Sequence, residues 1–298
     1  MIVTRSPLCR IMIITRFAPS PTGLLHLGHA YAAFMAQDAG ECFLVRMEDI
    51  DSARCRPEFE AAILDDLVWL GLTFERPVLR QSSRLAAYRA ALDALQSLGV
   101  VYPCFCSRKN IADEIARSAQ APHGPDGPLY PGTCRALDKH ERTKKIASGV
   151  PYALRLDAAK AAKAAQALFF EERGIGPHGE TGRIAVQPQL FGDIVLARKE
   201  TPTAYHLAVV VDDAYQGVSL VTRGNDLFAS AHVQRVLQAL LGLPAPAYAH
   251  HVLILDENGR KFSKRDQAVT LRALREGGAT PEEIRARIYY AASIMSRR

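Results

Sequence analysis

The chain has 298 residues, of which 48% are hydrophobic and 23% are charged. This balance is ordinary for a globular protein, and a chain of this length buries roughly three quarters of its unfolded surface. No stretch approaches the roughly 18 uninterrupted apolar residues of a membrane span, and the first ten residues lack the apolar core of a signal peptide. The net charge of +6 suits a polyanionic partner, although most such charges simply solvate a surface. We expect a cytoplasmic protein without a membrane partner.

The first hundred residues alternate between strand and helix patterns. Proline and glycine interrupt the chain after the first apolar run, and two later helical patterns each end at a glycine. The predicted order is strand 11–17, loop 18–23, helix 27–39, strand 41–47, a helix ending before Gly71 and a helix ending before Gly99. This alternation predicts an α/β fold with a doubly wound, Rossmann-type parallel sheet that binds ligands at the carboxyl ends of its strands.

Residues 101–192 break that alternation. They contain clustered cysteines, a loop rich in proline and glycine at 121–132, and an Ala/Lys helix at 158–167. The alternation resumes with 193–197, 205–211 and 218–222, followed by a helix from about Leu227 to Leu241. A strand at 252–255 and a turn at 256–259 come next, and Thr280 to Glu283 form a capping box for a helical tail.

This organisation divides the chain into five parts. They are an N-terminal extension, the first half of a catalytic domain, an insertion, the second half of that domain, and a basic loop with a short helical C-terminal tail. The predicted bounds are 1–14, 15–100, 101–192, 193–245 and 246–298.

Two short motifs suit the binding of phosphate. His26-Leu27-Gly28-His29 stands at the start of the first predicted helix, where free N–H groups and a partial positive charge attract anions. Gly28 lets a nucleotide approach the backbone. Lys261-Phe262-Ser263-Lys264-Arg265 follows the later strand and turn and can clamp phosphates. Each motif alone has a simpler interpretation, as a helix cap or as a solvated charge run.

Together these motifs resemble the HIGH and KMSKS signatures of class I aminoacyl-tRNA synthetases. The resemblance extends to glutamyl-type members of that family, and it covers roughly residues 15 to 270. The segments that carry it are 16–23, 46–51, 204–213 and 222–227. It implies attack of a glutamate α-carboxylate on the α-phosphorus of ATP, with Mg²⁺ accompanying the nucleotide.

The resemblance also assigns residues to the two small substrates. His26, His29 and Lys264 are expected to be catalytic, because they would neutralise charge on the reacting phosphates. Arginine grips carboxylates bidentately, Glu48 suits the ammonium group, and Tyr205 can donate a hydrogen bond. The expected ATP site comprises Pro19, His26, Gly28, His29, Lys261, Ser263 and Lys264. The expected glutamate site comprises Arg16, Phe17, Ala18, Pro19, Ser20, Glu48, Tyr205 and Arg223.

Three of the six cysteines form a pattern typical of a metal site. Cys104 and Cys106 make a C-x-C pair, and Cys134 adds a third thiolate, one ligand short of a closed structural zinc site. His123 is the conventional choice for the fourth ligand, whereas the family resemblance implies Tyr130. Three reduced cysteines without metal are the alternative interpretation. We expect one structural Zn²⁺ that stiffens the insertion.

Only residues 266–298 follow the basic motif, and an anticodon-binding domain needs on the order of 100 residues for a core of its own. We therefore expect that this domain is absent. The layout, the C-x-C/Y-x3-C pattern and the segment 48–51 resemble the glutamyl-Q tRNA(Asp) synthetase family. The resemblance implies that glutamate is activated without bound tRNA and is then esterified to queuosine in the anticodon stem-loop of tRNA(Asp). It implies no obligate protein partner.

Queuosine carries a cyclopentene diol, which resembles the ribose 2′,3′ diol that an ordinary synthetase acylates. Three alternatives stay open at this point. They are a truncated glutamyl-tRNA synthetase that charges the acceptor end, a small nucleotidyltransferase of the HIGH superfamily, and a non-catalytic tRNA-binding module.

Overall fold

The computed structural model describes residues 12–117, 123–125, 127–199, 201–255 and 269–295. Its strands are β1 (Ile14–Phe17), β2 (Cys42–Met47), β3 (Leu79–Arg80), β4 (Val101–Cys104), β5 (His123–Gly124), β6 (Gly127–Pro128), β7 (Ala153–Leu156), β8 (Phe169–Glu172), β9 (Gly182–Ala185), β10 (Val195–Ala197), β11 (Leu220–Gly224) and β12 (Ala247–His251). Its α-helices are α1 (Leu27–Ala39), α2 (Pro57–Trp69), α3 (Leu85–Ser97), α4 (Arg108–Arg117), α5 (Lys139–Ala147), α6 (Ala158–Ala165), α7 (Tyr205–Tyr215), α8 (Ser230–Leu240), α9 (Leu271–Glu276) and α10 (Pro281–Met295).

A parallel sheet organises the molecule, as the alternation of strands and helices predicts. Strands β1, β2 and β3 are parallel, and so are β11, β12 and β8, with β9 antiparallel at the edge. The N–H of Ser219 donates to the Ile14 carbonyl at 3.0 Å, and the Ile14 N–H donates to Ser219 Oγ at 2.9 Å. These bonds set β11 beside β1. The chain order reverses between these two strands, and such a reversal is where α/β sheets bind ligands.

Helix α1 packs closely on this switch point. Its buried face includes Ala30, Ala33 and Phe34, and the small alanines allow the helix to approach β1 and β11. Thr15 Oγ1 donates to the Ala36 carbonyl at 2.6 Å. A Cβ at Gly40, where the helix ends, would lie 2.5 Å from Thr15 Oγ1. The sequence therefore needs glycine at this position for β1 and α1 to meet.

The segment 101–192 is interleaved with the parallel sheet. Strands β4, β7 and β10 form an antiparallel sheet, although β10 comes after residue 192. Conversely, β8 lies inside 101–192 and pairs with β12 of the parallel sheet, through Tyr248 and Glu172. The segment 205–211 begins helix α7. The five-part division of the chain stays a prediction.

The last strand differs from its prediction. The apolar run at 252–255 predicts a strand there, but β12 spans Ala247–His251. Its residues Tyr248, His250 and His251 carry polar atoms and nevertheless lie buried. The hydrophobic pattern does not reveal this strand, because its polar side chains lie inside the protein rather than in water.

The helical tail folds back onto the first half of the chain. Ile284 and Ile288 of α10 are buried in the same core as Leu27 and Phe34 of α1. The predicted capping box is confirmed, since Glu283 N–H donates to Thr280 Oγ1 at 3.3 Å and the Thr280 N–H donates to a carboxylate oxygen of Glu283 at 2.9 Å. Within the described residues, the helices are too short or too polar to cross a membrane.

Candidate active site

Two arginines lie close together where the order of the strands in the sheet reverses. Arg16 is the third residue of β1, and Arg223 is the fourth residue of β11. Both are buried, and Arg16 Nη1 donates to the carbonyl of Thr222, next to Arg223, at 3.4 Å. The phenol of Tyr248 lies within the electrostatic reach of both guanidinium groups. Two buried cations this close together would suit the binding of a carboxylate.

Arg16 is held by an internal network of charges. Its Nε donates to Asp213 Oδ1 at 3.0 Å, and Arg46 Nη1 donates to the same oxygen at 2.8 Å. The side chain of Arg46 is 0% exposed. Burial alone would raise the pKa of Asp213, but the two guanidinium groups outweigh it and hold that pKa below its ordinary value. Asp213 therefore stays ionised and compensates these two buried cations.

Glu48 follows the end of β2 and faces the same region. Its side chain is 11% exposed, and Arg46 Nη2 donates to its carboxylate at 3.4 Å. The N–H of Glu48 donates to the Pro19 carbonyl at 3.0 Å, which ties the strand end to the loop after β1. Burial raises the pKa of Glu48, against the opposing influence of Arg46 and Arg16. An ammonium group bound beside Glu48 would stabilise its ionised carboxylate and so offset the effect of burial.

A cleft of about 210 Å³ opens at this point. It brings together three residues that the sequence assigns to glutamate, namely Ser20, Glu48 and Tyr205. The remaining lining is Thr22, Ile50, Asp51, Arg54, Cys55, Gln81, Arg198, Thr201, Thr203 and Ala204. The cleft is therefore polar and carries charges of both signs.

Arg223 is buried and is not among the residues that line the cleft. Its Nε donates to His250 Nε2 at 3.0 Å, and its Nη1 donates to Gln234 Oε1 at 2.9 Å. Its Nη2 is buried and has no hydrogen-bond partner among the residues that the structure describes. Burial, and then the charge of Arg223, lower the pKa of His206 to about 4. His206 is accordingly neutral near pH 7, and it follows Tyr205 in the chain.

The two histidines of the HIGH-like motif cap helix α1. The Gly28 N–H donates to His26 Nδ1 at 3.2 Å, and the His26 N–H donates to His29 Nδ1 at 3.3 Å. Their rings lie 3.8 Å apart between centroids. Because both Nδ1 atoms accept hydrogen bonds, each neutral ring carries its proton on Nε2. Two N–H donors therefore stand at a helix N-terminus, which is an arrangement that suits phosphate oxygens.

The chain returns to this motif after the basic segment. Thr270 forms a β-bridge with His26, and the Leu271 N–H donates to the Leu25 carbonyl at 2.8 Å. Lys261, Ser263 and Lys264 lie outside the described residues.

The other predicted residues occupy the loop between β1 and α1 or its flanks. Phe17 and Pro19 are buried, and Phe17 belongs to the core around α1. Ala18 is half-buried, and Ser20 is exposed at the cleft. These residues carry no charge, and their contribution is to the conformation of the loop.

Four buried charged or polar residues of this site have no role in the sequence-based assignment. They are Arg46, Glu172, Asp213 and His250. Arg46 and Asp213 lie within segments that resemble the family. The sequence offers one indication of such residues, which is an ionisable residue at the end of an apolar run, because a buried charge needs a buried partner. No pattern in the sequence indicates which partner that is.

The cysteine cluster forms a compact group of potential ligands. The sulfurs of Cys104, Cys106 and Cys134 lie within 4.8 Å of one another, with 3.4 Å between Cys106 and Cys134. The Tyr130 hydroxyl is 3.4 Å from the sulfur of Cys104 and 3.5 Å from that of Cys106. Tetrahedral zinc with Zn–S bonds of about 2.3 Å separates its sulfurs by about 3.8 Å. The donor set and its spacing therefore fit zinc.

The electrostatics of the cluster also suit a divalent cation. Burial and the neighbouring thiols raise the pKa of Cys106 to about 11. Burial opposes ionisation of Cys104 too, but contacts with Tyr130 and Arg155 lower its pKa overall. A cation among the three sulfurs would favour all three thiolates. His123 is exposed on the short hairpin of β5 and lies outside the group of close ligand atoms.

Comparison with known proteins gives consistent matches. The family model of tRNA synthetases class I (E and Q), catalytic domain, matches residues 12–291. The chain is 50% identical to the glutamyl-Q tRNA(Asp) synthetase of Rhodobacter capsulatus, over 92% of this chain and 98% of that protein. It is 43% identical to the protein of that name from Nocardia farcinica, over 91% and 82%. The glutamate–tRNA ligase of Aquifex aeolicus is 37% identical, over 91% of this chain but 55% of the ligase.

Solved structures give the same fold. A glutamate-tRNA synthetase from Elizabethkingia anophelis superposes with a TM-score of 0.73 at 26% identity, over 94% of this chain and 61% of that structure. A glutamate tRNA ligase from Elizabethkingia meningosepticum, solved in complex with its amino acid, gives a TM-score of 0.72 at 26% identity, over 94% and 60%. The chain thus spans about three fifths of these synthetases.

Proposed function

Since the chain belongs to the class I aminoacyl-tRNA synthetases, and among them to the glutamyl-Q tRNA(Asp) synthetases, which are ligases, we propose that it activates L-glutamate with ATP and transfers it to queuosine in tRNA(Asp). The observation that carries the activation step is the buried Arg16 beside Glu48, with a second buried arginine, Arg223, on the neighbouring strand β11. Glutamate has two carboxylates and one ammonium group, and this pocket offers two cations and a carboxylate.

The proposed reaction has two steps. A glutamate α-carboxylate oxygen attacks the α-phosphorus of ATP, so that the bond to the β-phosphate oxygen breaks and pyrophosphate leaves. A hydroxyl of the queuosine diol then attacks the activated carbonyl and displaces AMP, and its proton passes to solvent or to a phosphate oxygen. Neither step needs a covalent enzyme intermediate. Positioning and charge neutralisation carry the catalysis.

The proposed roles follow from the site. His26 and His29 donate Nε2–H bonds to phosphate oxygens at the N-terminus of α1. Arg16 and Arg223 hold carboxylates of glutamate, and Glu48 with Tyr205 completes the amino-acid site. Lys261, Ser263 and Lys264 act on the departing phosphates. The bridge between Thr270 and His26 supports this assignment, because it returns the chain to the phosphate motif a few residues after Lys264. Mg²⁺ accompanies ATP.

A structural role is proposed for zinc. Cys104, Cys106 and Cys134 would hold the ion, and the Tyr130 hydroxyl, at 3.4 to 3.5 Å from two of the sulfurs, would complete the set. When bound, the ion would cross-link the end of β4 to the loop before α5. The catalytic residues proposed above do not include any of these ligands.

Glutamate-dependent exchange of pyrophosphate into ATP tests the activation step. Wild-type protein should catalyse this exchange without tRNA, with L-glutamate but not with L-aspartate or L-glutamine. Arg223→Ala should abolish it, because the substrate carboxylate then lacks its cation. Arg89→Ala, an exposed arginine on α3, is the matched control and should keep wild-type rates. Near-normal exchange by Arg223→Ala would contradict the assignment.

A further inference from the structure

A chain of three buried groups ends at Arg223. The carboxylate of Glu172 and the imidazole of His250 are both 0% exposed, with 2.5 Å between Glu172 Oε2 and His250 Nδ1. His250 Nε2 in turn meets Arg223 Nε at 3.0 Å. The three residues come from the adjacent strands β8, β12 and β11. All three residues are buried, so their polar atoms depend on protein partners for hydrogen bonds.

The hydrogen bonds to Arg223 and Glu172 determine which ring nitrogen of His250 carries the proton. Arginine only donates, so His250 Nε2 must accept from Arg223 Nε, and the proton of the neutral ring lies on Nδ1. Glu172 accepts that Nδ1 proton with Oε2. Its other oxygen accepts the backbone N–H of His250 at 2.9 Å and that of Gly174 at 2.8 Å. Glu172 thus selects the tautomer of His250 that is able to accept from Arg223.

The backbone is built closely around this contact. A Cβ at Gly174 would lie 2.1 Å from the His250 carbonyl oxygen, so a side chain there is incompatible with the present packing. The ring of Tyr248 stacks with that of His250 at an interplanar angle of 5°, and the Arg223 guanidinium carbon lies 5.2 Å from the Tyr248 centroid. Gln234 fixes Nη1 of Arg223 at 2.9 Å. One nitrogen, Nη2, is then left without a partner among the described residues.

We propose that Glu172 and His250 are positioning residues that orient the Arg223 guanidinium for the glutamate carboxylate. This inference rests on the proposed function of Arg223. An arginine side chain has several rotatable bonds, and a guanidinium held at Nε and Nη1 presents Nη2 in one direction only. Preorganisation of this kind lowers the entropy that binding must otherwise remove. Glutamate affinity therefore depends on two residues that never touch glutamate.

The most selective variant is Glu172→Gln, which changes a carboxylate to an amide of the same shape. The amide oxygen can still accept the two backbone N–H groups, but its NH₂ faces His250 Nδ1. That contact moves the ring proton to Nε2, where it opposes the Arg223 Nε–H. We expect the KM for glutamate in pyrophosphate exchange to rise on the order of 10- to 100-fold. The KM for ATP and the kcat at saturating glutamate should change less than about threefold.

Two further variants separate positioning from simple packing. His250→Gln carries an acceptor and a donor at a similar spacing, and it should restore a KM for glutamate within about fivefold of wild type. His250→Leu lacks both groups and should resemble Glu172→Gln. Glu171→Gln is the matched control, because Glu171 is the adjacent, exposed carboxylate of the same strand. It should leave every constant unchanged.

The tautomer of the His250 imidazole is a measurable property that a purely structural role of Glu172 would leave unchanged. In ¹⁵N-correlated spectra, His250 should be protonated on Nδ1 in the wild type and on Nε2 in Glu172→Gln, with His250→Gln identifying its signals. Wild-type exchange with an unchanged KM for glutamate in Glu172→Gln and His250→Leu would overturn the inference alone. Equal changes in the constants for ATP and glutamate would also overturn it. Failure of the wild type to use glutamate would instead overturn the proposed function.

Discussion

Arg16 and Asp213 form an ion pair inside the protein, with 3.0 Å between Nε and Oδ1, although 197 positions separate them in the chain. The same carboxylate oxygen also accepts from Arg46 at 2.8 Å. One aspartate of helix α7 thus compensates an arginine from β1 and another from β2. This arrangement ties helix α7 to the first two strands of the sheet, close to Glu48, where glutamate is proposed to bind.

Substitution of Asp213 by asparagine should be strongly destabilising, because it leaves the buried Arg16 without its carboxylate partner and Arg46 with only its longer contact to Glu48. Removing one partner of a buried ion pair costs about 3 to 5 kcal/mol. Urea denaturation at pH 7 measures the free energy of unfolding. Asp93→Asn changes an exposed aspartate on α3 and should stay within about 0.5 kcal/mol of wild type. Equal stability of the two variants would show that Asp213 does not carry this role.

The cysteine cluster predicts one zinc ion per chain in protein purified without chelators. Cys134→Ser should reduce zinc content to near zero and lower the melting temperature, because the ion links β4 to the loop before α5. Metal content is measured by atomic emission and stability by thermal melting. Cys42→Ser is the control, since Cys42 lies outside the cluster. Purified wild-type protein without zinc would remove the proposal.

The fourth ligand is decided by the same measurement on two further variants. Tyr130→Phe should weaken zinc retention against a competing chelator about 10- to 100-fold, the range typical for a group that supports a metal site. His123→Ala should retain zinc like wild type, because His123 lies outside the close ligand group. The reverse pattern would favour the histidine.

Asp66 should make stability depend on pH. It is buried on α2, its Oδ2 has no partner among the described residues, and burial raises its pKa to about 6 despite Arg272 and Arg275. Between the unfolded pKa of about 3.9 and pH 6, the folded state binds more protons than the unfolded state. The contribution of Asp66 to stability therefore falls as the pH rises through this window, and it remains unfavourable above it.

Asp66→Asn removes that ionisation. The variant should be more stable than wild type by about 1 to 3 kcal/mol at pH 8, and this difference should shrink towards zero near pH 4. Urea denaturation at the two pH values measures it. The adjacent, exposed Asp65→Asn serves as control and should show no such pH-dependent gain. A variant that loses stability at pH 8 would mean that the Asp66 carboxylate is well compensated.

The sequence predicts much of the fold because local patterns carry it. Helix α1 spans Leu27–Ala39 as expected, since a proline-rich loop precedes its small apolar residues and Gly40 ends it. Strand β12 was misplaced because buried histidines interrupt its apolar pattern. A hydrophobic pattern marks a strand only where polar side chains face water, and in β12 they face the interior.

The residues of the candidate site likewise fall into those that the sequence predicts and those that it does not. Motifs give Arg16, Glu48 and Arg223, and the fold sets Arg16 beside both Glu48 and the strand that carries Arg223. They do not give the partners of these residues, because those partners are distant in sequence: Asp213 for Arg16, and Glu172 through His250 for Arg223. Such pairings depend on strand order, and composition or spacing does not encode strand order visibly.

Transfer of labelled glutamate to tRNA identifies the acceptor. The protein is incubated with ATP, Mg²⁺ and labelled L-glutamate, and with tRNA(Asp) containing queuosine, tRNA(Asp) lacking it, or tRNA(Glu). Label should enter only the queuosine-containing tRNA(Asp), and nuclease digestion should locate it in the anticodon loop. Label on tRNA(Glu), or on tRNA(Asp) without queuosine, would show that queuosine is not the acceptor and that the enzyme charges the acceptor end.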